Sequence, residues 1–408
     1  MSTWQRVKLG DCLAEPPAYG ANASAMEYSP NLPRYIRITD IDEDGNLIEA
    51  NKKSISLSAS KGYLLRTGDI VFARTGATVG KTYLHIDNGL QYAFAGYLIR
   101  FRTNENCLLP QFLSHYSQSL EYDEWVLKIN RSGAQPNINA SEYSSLRILL
   151  PPLLEQIEIA RILSRWDAAI AEGSTLLAAK TRLKRALMQQ LLTGKRRFRE
   201  FVHSESTQDT KHGPRPTDWS DSTIGDFTYE VSERMGSGEK FPVLSCTKHA
   251  GLVDSLKYFG KRIYSEDIAV YKVVRRDQFA YATNHIEEGS IGLLTDLEAG
   301  VVSPMYTVFG VSEKASPAFL YLLFKTEMYR QIFASNTSAS VDRRGSLRWR
   351  QFSQIRVALP SIAEQEKIAE TISIFDKEIQ LLQTQLAAWK QQKKGLMQKL
   401  LGGQVRVK

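Results

Sequence analysis

Two long segments of the chain carry apolar residues at alternating spacings of three and four positions. They cover residues 151–199 and 359–408. A period of 3.5 residues sustained over several heptads is typical of a coiled coil, in which the apolar seam of one helix packs against another helix. We therefore predict one long helix in each segment. The predicted seam residues are Leu163, Trp166, Ile170, Leu177, Leu187, Leu191, Ile372, Phe375, Ile379, Leu382, Leu386, Trp389, Leu396 and Leu400.

The two segments are copies of one sequence. Residues 147–197 align with residues 356–406 at a constant offset of 209 without a gap, and about 22 of the 51 aligned positions are identical. A proline opens each predicted helix and a glycine follows its last turn, as is usual where helices start and stop. A helix of about 40 residues would be roughly 60 Å long. Two such helices in one chain can bury their seams on each other, and an antiparallel pair would have pseudo-two-fold symmetry.

A lysine interrupts the apolar seam at the same place in each copy, at Lys184 and Lys393. One interpretation is that each lysine lays an apolar stem on the seam and extends its ammonium group into solvent. The other is that each lysine fixes the register of the pair, as polar seam residues do in coiled coils. The sequence leaves both interpretations open.

The blocks that precede the helices, residues 1–150 and 200–358, resemble each other weakly. Short apolar runs bounded by Gly and Asn predict β-strands, and residues 110–125 and 317–334 predict amphipathic helices. Residues 200–218 are polar and rich in Ser, Thr and Pro, so we interpret them as a linker. The predicted fold class is α+β, with two mixed α/β domains separated by a pair of long antiparallel coiled-coil helices in pseudo-two-fold symmetry.

The overall composition sets limits on the class of protein. A net charge of +8 favours an anionic partner such as nucleic acid, although an ordinary basic protein has the same balance. Cys12, Cys107 and Cys246 are odd in number and far apart in sequence, which argues against a disulfide framework and for a reducing compartment. No apolar run approaches the length of about 18 residues needed for a membrane span, and no signal peptide is evident. We expect a cytoplasmic protein that does not bind membranes.

Searches for catalytic motifs do not find one. Residues 76–82, GATVGKT, resemble a phosphate-binding loop, but three residues separate the glycines where that loop has four. Residues 15–19, EPPAY, resemble an adenine methyltransferase motif but lack its first residue and its aromatic residue after the prolines. The histidines and cysteines show no zinc-ligand spacing. We therefore expect no metal site, no bound cofactor and no catalytic centre in this chain.

The duplicated helices with their Pro-x-x-x-Glu-Gln openings, the ARTGATVGK run at residues 73–81 and the SPMY run at residues 303–306 resemble the specificity subunits of Type I restriction-modification enzymes. This resemblance covers nearly the whole chain. It implies that residues 1–150 and 200–358 are target recognition domains and that the repeated helices, at residues 151–199 and 359–408, are conserved regions.

The resemblance also implies a set of partners. In that family the helices pair antiparallel and bind two methyltransferase subunits, with restriction and translocase subunits added for cleavage. The implied ligand is double-stranded DNA with a bipartite, gapped target and one half-site for each recognition domain. S-adenosylmethionine, ATP and Mg are then expected on the partner subunits, and the target adenine would be flipped out of the duplex by a partner.

Contacts to bases and phosphates require polar and basic side chains on loops. Two glycine-containing turns of the first domain would bring their backbones close to a ligand. An alternative interpretation is that these loops are simply solvated. The candidate DNA-binding residues are Lys61, Arg74, Thr75, Thr78, Lys81, Arg131, Ser132 and Gln135 in the first domain, and Lys248, Lys261, Arg262, Asn284, His285, Arg343, Arg344 and Arg348 in the second.

Two other hypotheses remain open from the sequence. The chain could be a stand-alone DNA-binding regulator in which each domain binds without a partner. It could also be a nuclease or methyltransferase whose motifs differ from the known ones.

Overall fold

A computed structural model describes residues 4–130, 136–210, 213–236, 241–337 and 345–407. The chain folds into two compact units. The first unit is Met1–Thr175 with Gln383–Lys408, and the second unit is Leu176–Leu382. Each unit therefore takes one half of each long helix, whereas the sequence analysis assigned each helix to a segment of its own. Among the described residues, no helix is both long enough and apolar enough to cross a bilayer.

In the described residues, the first unit has three small sheets and three short α-helices before the first long helix. One sheet has the strand order β2-β9-β6-β7, another has the order β3-β5-β4-β8, and β1 pairs with β10. The bounds are β1 Gln5–Lys8, β2 Ala18–Tyr19, β3 Met26–Glu27, β4 Arg34–Ile36, β5 Lys53–Ser54, β6 Ile70–Ala73, β7 Thr82–Leu84, β8 Tyr92–Phe94, β9 Leu98–Phe101 and β10 Arg147–Leu150, with α1 Pro110–Tyr116, α2 Leu120–Asn130, α3 Ala140–Ser144 and α4 Leu153–Leu192.

The second unit has a four-stranded sheet of the order β14-β21-β18-β19 and four two-stranded pairs. The pairs are β11 with β12, β13 with β22, β15 with β16, and β17 with β20. The bounds are β11 Thr207–Thr210, β12 Gly213–Pro216, β13 Ser220–Thr223, β14 Thr228–Val231, β15 Leu244–Thr247, β16 Gly251–Asp254, β17 Lys272–Arg275, β18 Phe279–Ala282, β19 Ile291–Leu293, β20 Ala299–Val302, β21 Tyr306–Val311 and β22 Arg356–Leu359, with α5 Ser255–Phe259, α6 Pro317–Phe324, α7 Glu327–Asn336, α8 Trp349–Phe352 and α9 Ile362–Leu401.

Two equivalent strands, β6 in the first unit and β18 in the second, are part of the core of their units. All four residues of β6 are buried, and so are all four residues of β18. In the first unit the Phe72 ring lies 4.9 Å from the Tyr143 ring, and in the second unit the Tyr281 ring lies 4.8 Å from the Phe352 ring. Tyr143 and Phe352 are 209 residues apart. The repeat therefore extends beyond the helices into the cores of the domains, where aromatic packing contributes much of the stability.

The long helices pair antiparallel within each unit. In the first unit Asp167 of α4 forms an ion pair with Lys393 of α9, whereas Gly173, further along α4, lies against Leu386, which is earlier in α9. In the second unit Lys180 pairs with Glu378, and the later residue Lys184 pairs with the earlier residue Asp376. Every predicted seam residue is buried or half-buried.

These ion pairs bear on the two interpretations of the seam lysines. Lys184 and Lys393 each contact the equivalent aspartate, Asp376 or Asp167, on the facing helix. Because the two pairs are related by the offset of 209, a shift of one helix along the other would break both of them. The geometry favours the role in register.

Each unit has the same joint between the long helices and the domain. Glu155, near the start of α4, is bound by Arg406, and hydrogen bonds from Arg406 hold the pKa of that carboxyl below its ordinary value. Glu364, near the start of α9, is bound by Arg197, whose pKa is raised by this hydrogen-bonded contact. The Arg406 guanidinium lies over the Trp4 ring, with its central carbon 5.3 Å from the ring centre. The second unit repeats this contact between Trp219 and Arg197.

A buried glutamine fixes each joint further. Gln156 is fully buried, and its side chain accepts a hydrogen bond from the Leu109 amide and donates to the Pro151 carbonyl, both at 2.9 Å. Gln365 does the same with the Ser316 amide and the Pro360 carbonyl. A buried amide of this kind is stable only when it is paired. The Glu-Gln pair of the repeat thus orients each long helix on its domain.

Several predicted boundaries differ from the structure. The long helices end at Leu192 and Leu401, before glycines with φ of 71° and 68° that terminate them. The predicted helices at residues 110–125 and 317–334 are each broken into two. In the second of these the Thr326 hydroxyl caps the new helix by accepting from the Tyr329 amide.

Residues 200–218 were expected to be a linker, but they contain the β11–β12 pair. This segment is tied to the second unit because Arg197 binds Asp218 at 2.7 Å. A polar sequence rich in Ser, Thr and Pro does not by itself reveal such a strand pair or such an ion pair.

Candidate nucleic-acid interface

The loop between β6 and β7, residues 74–81, contacts two other parts of the first unit. The Arg74 amide donates to the Tyr97 carbonyl at 3.0 Å, and the Arg74 carbonyl accepts from the Ile138 amide at 2.8 Å. The Gly76 amide donates to the Pro136 carbonyl at 3.1 Å. The start of the loop is therefore held between residues 95–98 and residues 136–138, which the sequence does not place together.

The two glycines of this loop have different surroundings. Both have positive φ, 74° at Gly76 and 92° at Gly80. A Cβ at Gly80 would lie 2.9 Å from the Val126 side chain, so a residue of the same domain already occupies the space beside this backbone. A Cβ at Gly76 would meet nothing within 4 Å. The open backbone at Gly76 is the part of the loop that a ligand can approach closely.

Two tyrosines lie beside Arg74, the first residue of the loop. The Arg74 guanidinium lies 4.9 Å from the centre of the Tyr19 ring, and its Nε donates to the Asn137 side chain at 3.4 Å. Tyr97 is 62% exposed beside it. A basic group interleaved with aromatic rings on an exposed loop has the chemistry of a nucleic-acid contact.

The second unit builds an equivalent loop at residues 283–290. The Leu347 amide donates to the Thr283 carbonyl at 2.8 Å, which repeats the bond from Ile138 to Arg74 at the offset of 209. The Ala282 amide donates to the Ser290 carbonyl at 3.2 Å, as Ala73 does to Lys81 in the first unit. The two loops therefore share a backbone arrangement although their side chains differ.

The charges of the two loops are different. Residues 74–81 include Arg74 and Lys81, whereas residues 283–290 include Glu287 and Glu288. His285, Glu287 and Glu288 each offer one potential metal-ligand atom, and these three atoms lie within 4.8 Å of one another. This arrangement could hold a divalent cation. This cluster does not have the sequence spacing of a zinc site, because its residues are one histidine and two carboxylates.

Comparison with known proteins places these loops in a family. The family model described as the Type I restriction modification DNA specificity domain matches residues 1–178 and 250–390. The chain belongs to this family. Its members are the DNA-recognition subunits of Type I restriction-modification enzymes and are not themselves enzymes.

Known members of this family align with the chain over different lengths. The Type I restriction enzyme MjaVIII specificity subunit of Methanocaldococcus jannaschii is 24% identical, and the alignment covers 99% of this chain and 93% of that protein. The StySPI specificity subunit of Salmonella potsdam is 26% identical over 39% of this chain and 35% of that protein.

Solved structures share the fold. The crystal structure of the HsdS subunit from Thermoanaerobacter tengcongensis has a TM-score of 0.52 and 17% identity, with 98% of this chain and 97% of that chain covered. The S subunit of a Type I restriction-modification system from M. genitalium has a TM-score of 0.59 and 14% identity, with 98% and 96% covered. At this level of identity the likeness concerns the fold alone.

The structure brings some of the candidate residues of this specificity subunit's first domain together. Arg74, Thr75 and Thr78 lie in the loop, where the Thr78 hydroxyl donates to the Thr75 carbonyl at 3.4 Å. Lys81 lies at its end, but its ammonium group is ion-paired with Glu43 at 2.8 Å. Lys61 is exposed in a different region, because the residues that follow it pair with β8. Arg131, Ser132 and Gln135 lie outside the described residues.

In the second domain Asn284 and His285 lie in the loop, and exposed Arg348 follows Leu347, which is bonded to it. Exposed Lys248 lies beside the loop because the Lys325 ammonium bridges the Lys248 and Gly289 carbonyls at 2.7 and 2.8 Å.

The other candidates of the second domain lie elsewhere. Arg262 contacts Tyr264 and Glu266 in its own segment, and Lys261 is exposed beside it. Arg343 and Arg344 lie outside the described residues.

Sequence reasoning missed Tyr19, Tyr97 and Asn137 in the first domain. Tyr19 comes from strand β2 and Tyr97 from the turn at residues 95–98, both distant in sequence from the loop, and neither residue carries a basic charge. An exposed tyrosine that follows a glycine, as Tyr97 follows Gly96, is the one local signal that the sequence offers.

Replacing Arg74 by alanine is expected to weaken binding of target DNA by about tenfold, since the guanidinium belongs to the loop that carries the open backbone at Gly76. The affinity is measured by fluorescence anisotropy at several salt concentrations, using the chain assembled with its enzyme's other subunits. If Arg74 contacts a phosphate, the salt dependence will also become shallower.

Lys61→Ala is the matched control, because this substitution removes one exposed positive charge of the same domain away from the loop. We expect it to change the affinity by much less. Equal losses in the two variants would contradict a specific role for Arg74.

Proposed function

We propose that this chain reads a bipartite, gapped DNA target, with one half-site for each recognition domain, and holds two methyltransferase subunits that modify adenine. The observation that carries this proposal is the pair of equivalent loops, residues 74–81 and 283–290, each of which follows an equivalent buried strand of its unit, β6 or β18. A duplicated scaffold with two different loops suits two readers of two different short sequences.

The chemistry of the loops supports two half-sites of different sequence. Carboxylates accept hydrogen bonds, as from the amino group of cytosine, whereas arginine donates to guanine. The first loop offers Arg74 and the second offers Glu287 and Glu288. We infer that the two half-sites are not repeats of each other and that the target is asymmetric.

The helices support a spacer of fixed length. Each long helix has 40 residues, and its register is held by an ion pair in each unit. We infer that this register fixes the number of unread base pairs, because half-site spacing on DNA mirrors the geometry of the protein that reads it.

An exposed apolar patch supports docking of a protein on the helices of the second unit. Leu176 and Leu183 lie four and three residues from Lys180, and Ile374 and Leu381 lie four and three residues from Glu378. Residues at these spacings share a helix face. Because Lys180 and Glu378 form an ion pair, the four aliphatic side chains surround it on one face of the helix pair. They are 48%, 55%, 51% and 68% exposed, respectively.

An apolar cluster of this kind marks an interaction surface more often than a free surface. At the equivalent positions of the first unit the chain has Gln385, Gln392, Arg165 and Glu172. We infer that the two methyltransferase subunits are bound with unequal strength and that the apolar patch holds one of them. S-adenosylmethionine would be bound by these partners, and ATP and Mg by the restriction and translocase subunits, all in the cytoplasm where the DNA is.

Co-expression of this chain with its methyltransferase is expected to methylate adenine at a single gapped motif, whereas the chain alone modifies nothing. Methylation-sensitive sequencing of the host genome measures this outcome. An ungapped motif, or methylation by the chain alone, would contradict the proposal. Tight, sequence-specific binding by the isolated chain in a gel-shift salt titration would favour a stand-alone regulator instead.

The double variant Leu183→Glu with Leu381→Glu is expected to lose one methyltransferase subunit, because two carboxylates would then lie in a contact that excludes water. Native mass spectrometry of the purified complex counts the subunits. Both positions are more than half exposed, so the chain should still fold.

The control for this variant is Leu57→Glu, at a leucine that is 58% exposed in the first recognition domain. It should keep both methyltransferase subunits. Retention of both subunits by the double variant would exclude the patch as a docking site.

A further inference from the structure

A tight turn in each recognition domain presents a large apolar side chain to solvent. In the first domain the turn is residues 95–98, closed by a hydrogen bond of 2.8 Å from the Leu98 amide to the Ala95 carbonyl. In the second domain it is residues 303–306, closed by a bond of 2.9 Å from Tyr306 to Ser303. The third residue of each turn is exposed: Tyr97 by 62% and Met305 by 63%.

Each turn forms a hydrogen bond with the first residue of the candidate DNA-binding loop of its domain, residues 74–81 or 283–290. The Tyr97 carbonyl accepts from the Arg74 amide at 3.0 Å, and the Met305 carbonyl accepts from the Thr283 hydroxyl at 3.2 Å. Arg74 and Thr283 are the first residues of the two loops. Each exposed side chain therefore stands beside the surface to which DNA binding is assigned above.

The backbone under each side chain is firmly held. In the first domain the Gly96 amide donates to the Ala21 carbonyl at 2.8 Å, and Gly20 is packed so closely that a Cβ there would lie 2.3 Å from the Ala95 carbonyl oxygen. In the second domain the Lys272 ammonium donates to the Tyr306 carbonyl at 2.6 Å. A rigid support with an exposed tip is suited to insertion into another molecule.

The two residues differ in type but share size and apolar character. Single exposed apolar residues are common on protein surfaces and need no explanation by themselves. Here the same feature recurs at the same turn of two domains whose other surface residues have diverged. A role in reading base edges would require polar groups, which the methionine lacks. The shared size and apolar character therefore point to stacking on a base or to filling a gap in the base stack.

We propose that Tyr97 and Met305 are wedges that enter the base stack of their half-sites while a partner subunit extracts the target adenine; this rests on the function proposed above. Apolar side chains, including methionine, are used in this way by proteins that unstack base steps, and aromatic rings stack on bases without regard to sequence. The wedge occupies space vacated by the extruded base and slows its return to the stack.

The test uses 2-aminopurine, whose fluorescence rises when it leaves the base stack, in place of the target adenine of one half-site. The duplex carries the motif found by methylation sequencing, and the protein is the chain assembled with its methyltransferase subunits. For Tyr97→Ala we expect the fluorescence rise in the first half-site to fall by about tenfold, while the second half-site is unchanged. Met305→Ala should produce the converse, and Tyr97→Phe should retain the signal because the ring remains.

Tyr258→Ala is the matched control, because Tyr258 is a tyrosine of similar exposure, 55%, on a short helix of the second domain. An abasic nucleotide opposite the target adenine should restore the methylation rate of Tyr97→Ala, because it removes the need for a wedge. Unchanged fluorescence and rate in both alanine variants, with gapped-motif methylation by the unaltered chain intact, would overturn the wedge and leave the proposed function standing. If the unaltered chain methylates no gapped motif, the proposed function itself fails.

Discussion

Among the ion pairs that the described residues form between the two long helices and the domains, four come in two equivalent sets. Each pair joins a residue in or just after one copy of the repeat to a residue of the other copy. The pairs are Asp167–Lys393 and Glu155–Arg406 in the first unit, and Asp376–Lys184 and Glu364–Arg197 in the second. Because all four obey one offset, the antiparallel register that satisfies one set also satisfies the other.

The strength of these pairs differs with their burial. Asp167 and Asp376 are about half exposed, so their ion pairs contribute little free energy of unfolding and serve mainly to exclude other registers. Glu364 and Arg197 are 1% and 7% exposed, so removal of either one would leave a buried charge without a partner. Together with Gln156 and Gln365, these groups hold each domain in one orientation on its helices. The loops at residues 74–81 and 283–290 are attached to these domains through the strands β6 and β18.

The sequence was most informative where the repeat is strong. The two long helices follow from a periodic seam and an exact offset, because both are direct constraints on packing. Their antiparallel pairing and the family were implied by the resemblance to Type I specificity subunits. The boundaries were less accurate, because capping by Thr326 and the ion pair between Arg197 and Asp218 depend on single contacts.

The sequence did not reveal one contact between cysteines. Cys12 and Cys107 are far apart in sequence, yet their sulfurs lie 2.8 Å apart as free thiols.

The candidate interface was predictable only in part. Residues 74–81 were selected because glycine and basic residues occur together in one stretch. Tyr19 of β2, Tyr97 of the turn at residues 95–98 and Asn137, which bridges Thr75, reach the same surface from three other parts of the chain. The sheet order and the strand register bring them there. The loop of the second domain was harder to recognise, since its acidic residues conceal an equivalence that rests on backbone hydrogen bonds from Leu347 and Ala282.

If two independent readers share one scaffold, exchange of a single domain will change one of them alone. Residues 1–150 are replaced by the corresponding domain of another family member, with both long helices retained, and the methylated motif is determined by sequencing of the host genome. We expect one half-site to change while the other half-site and the spacer length stay the same. A change in both half-sites, or in the spacer, would contradict this expectation.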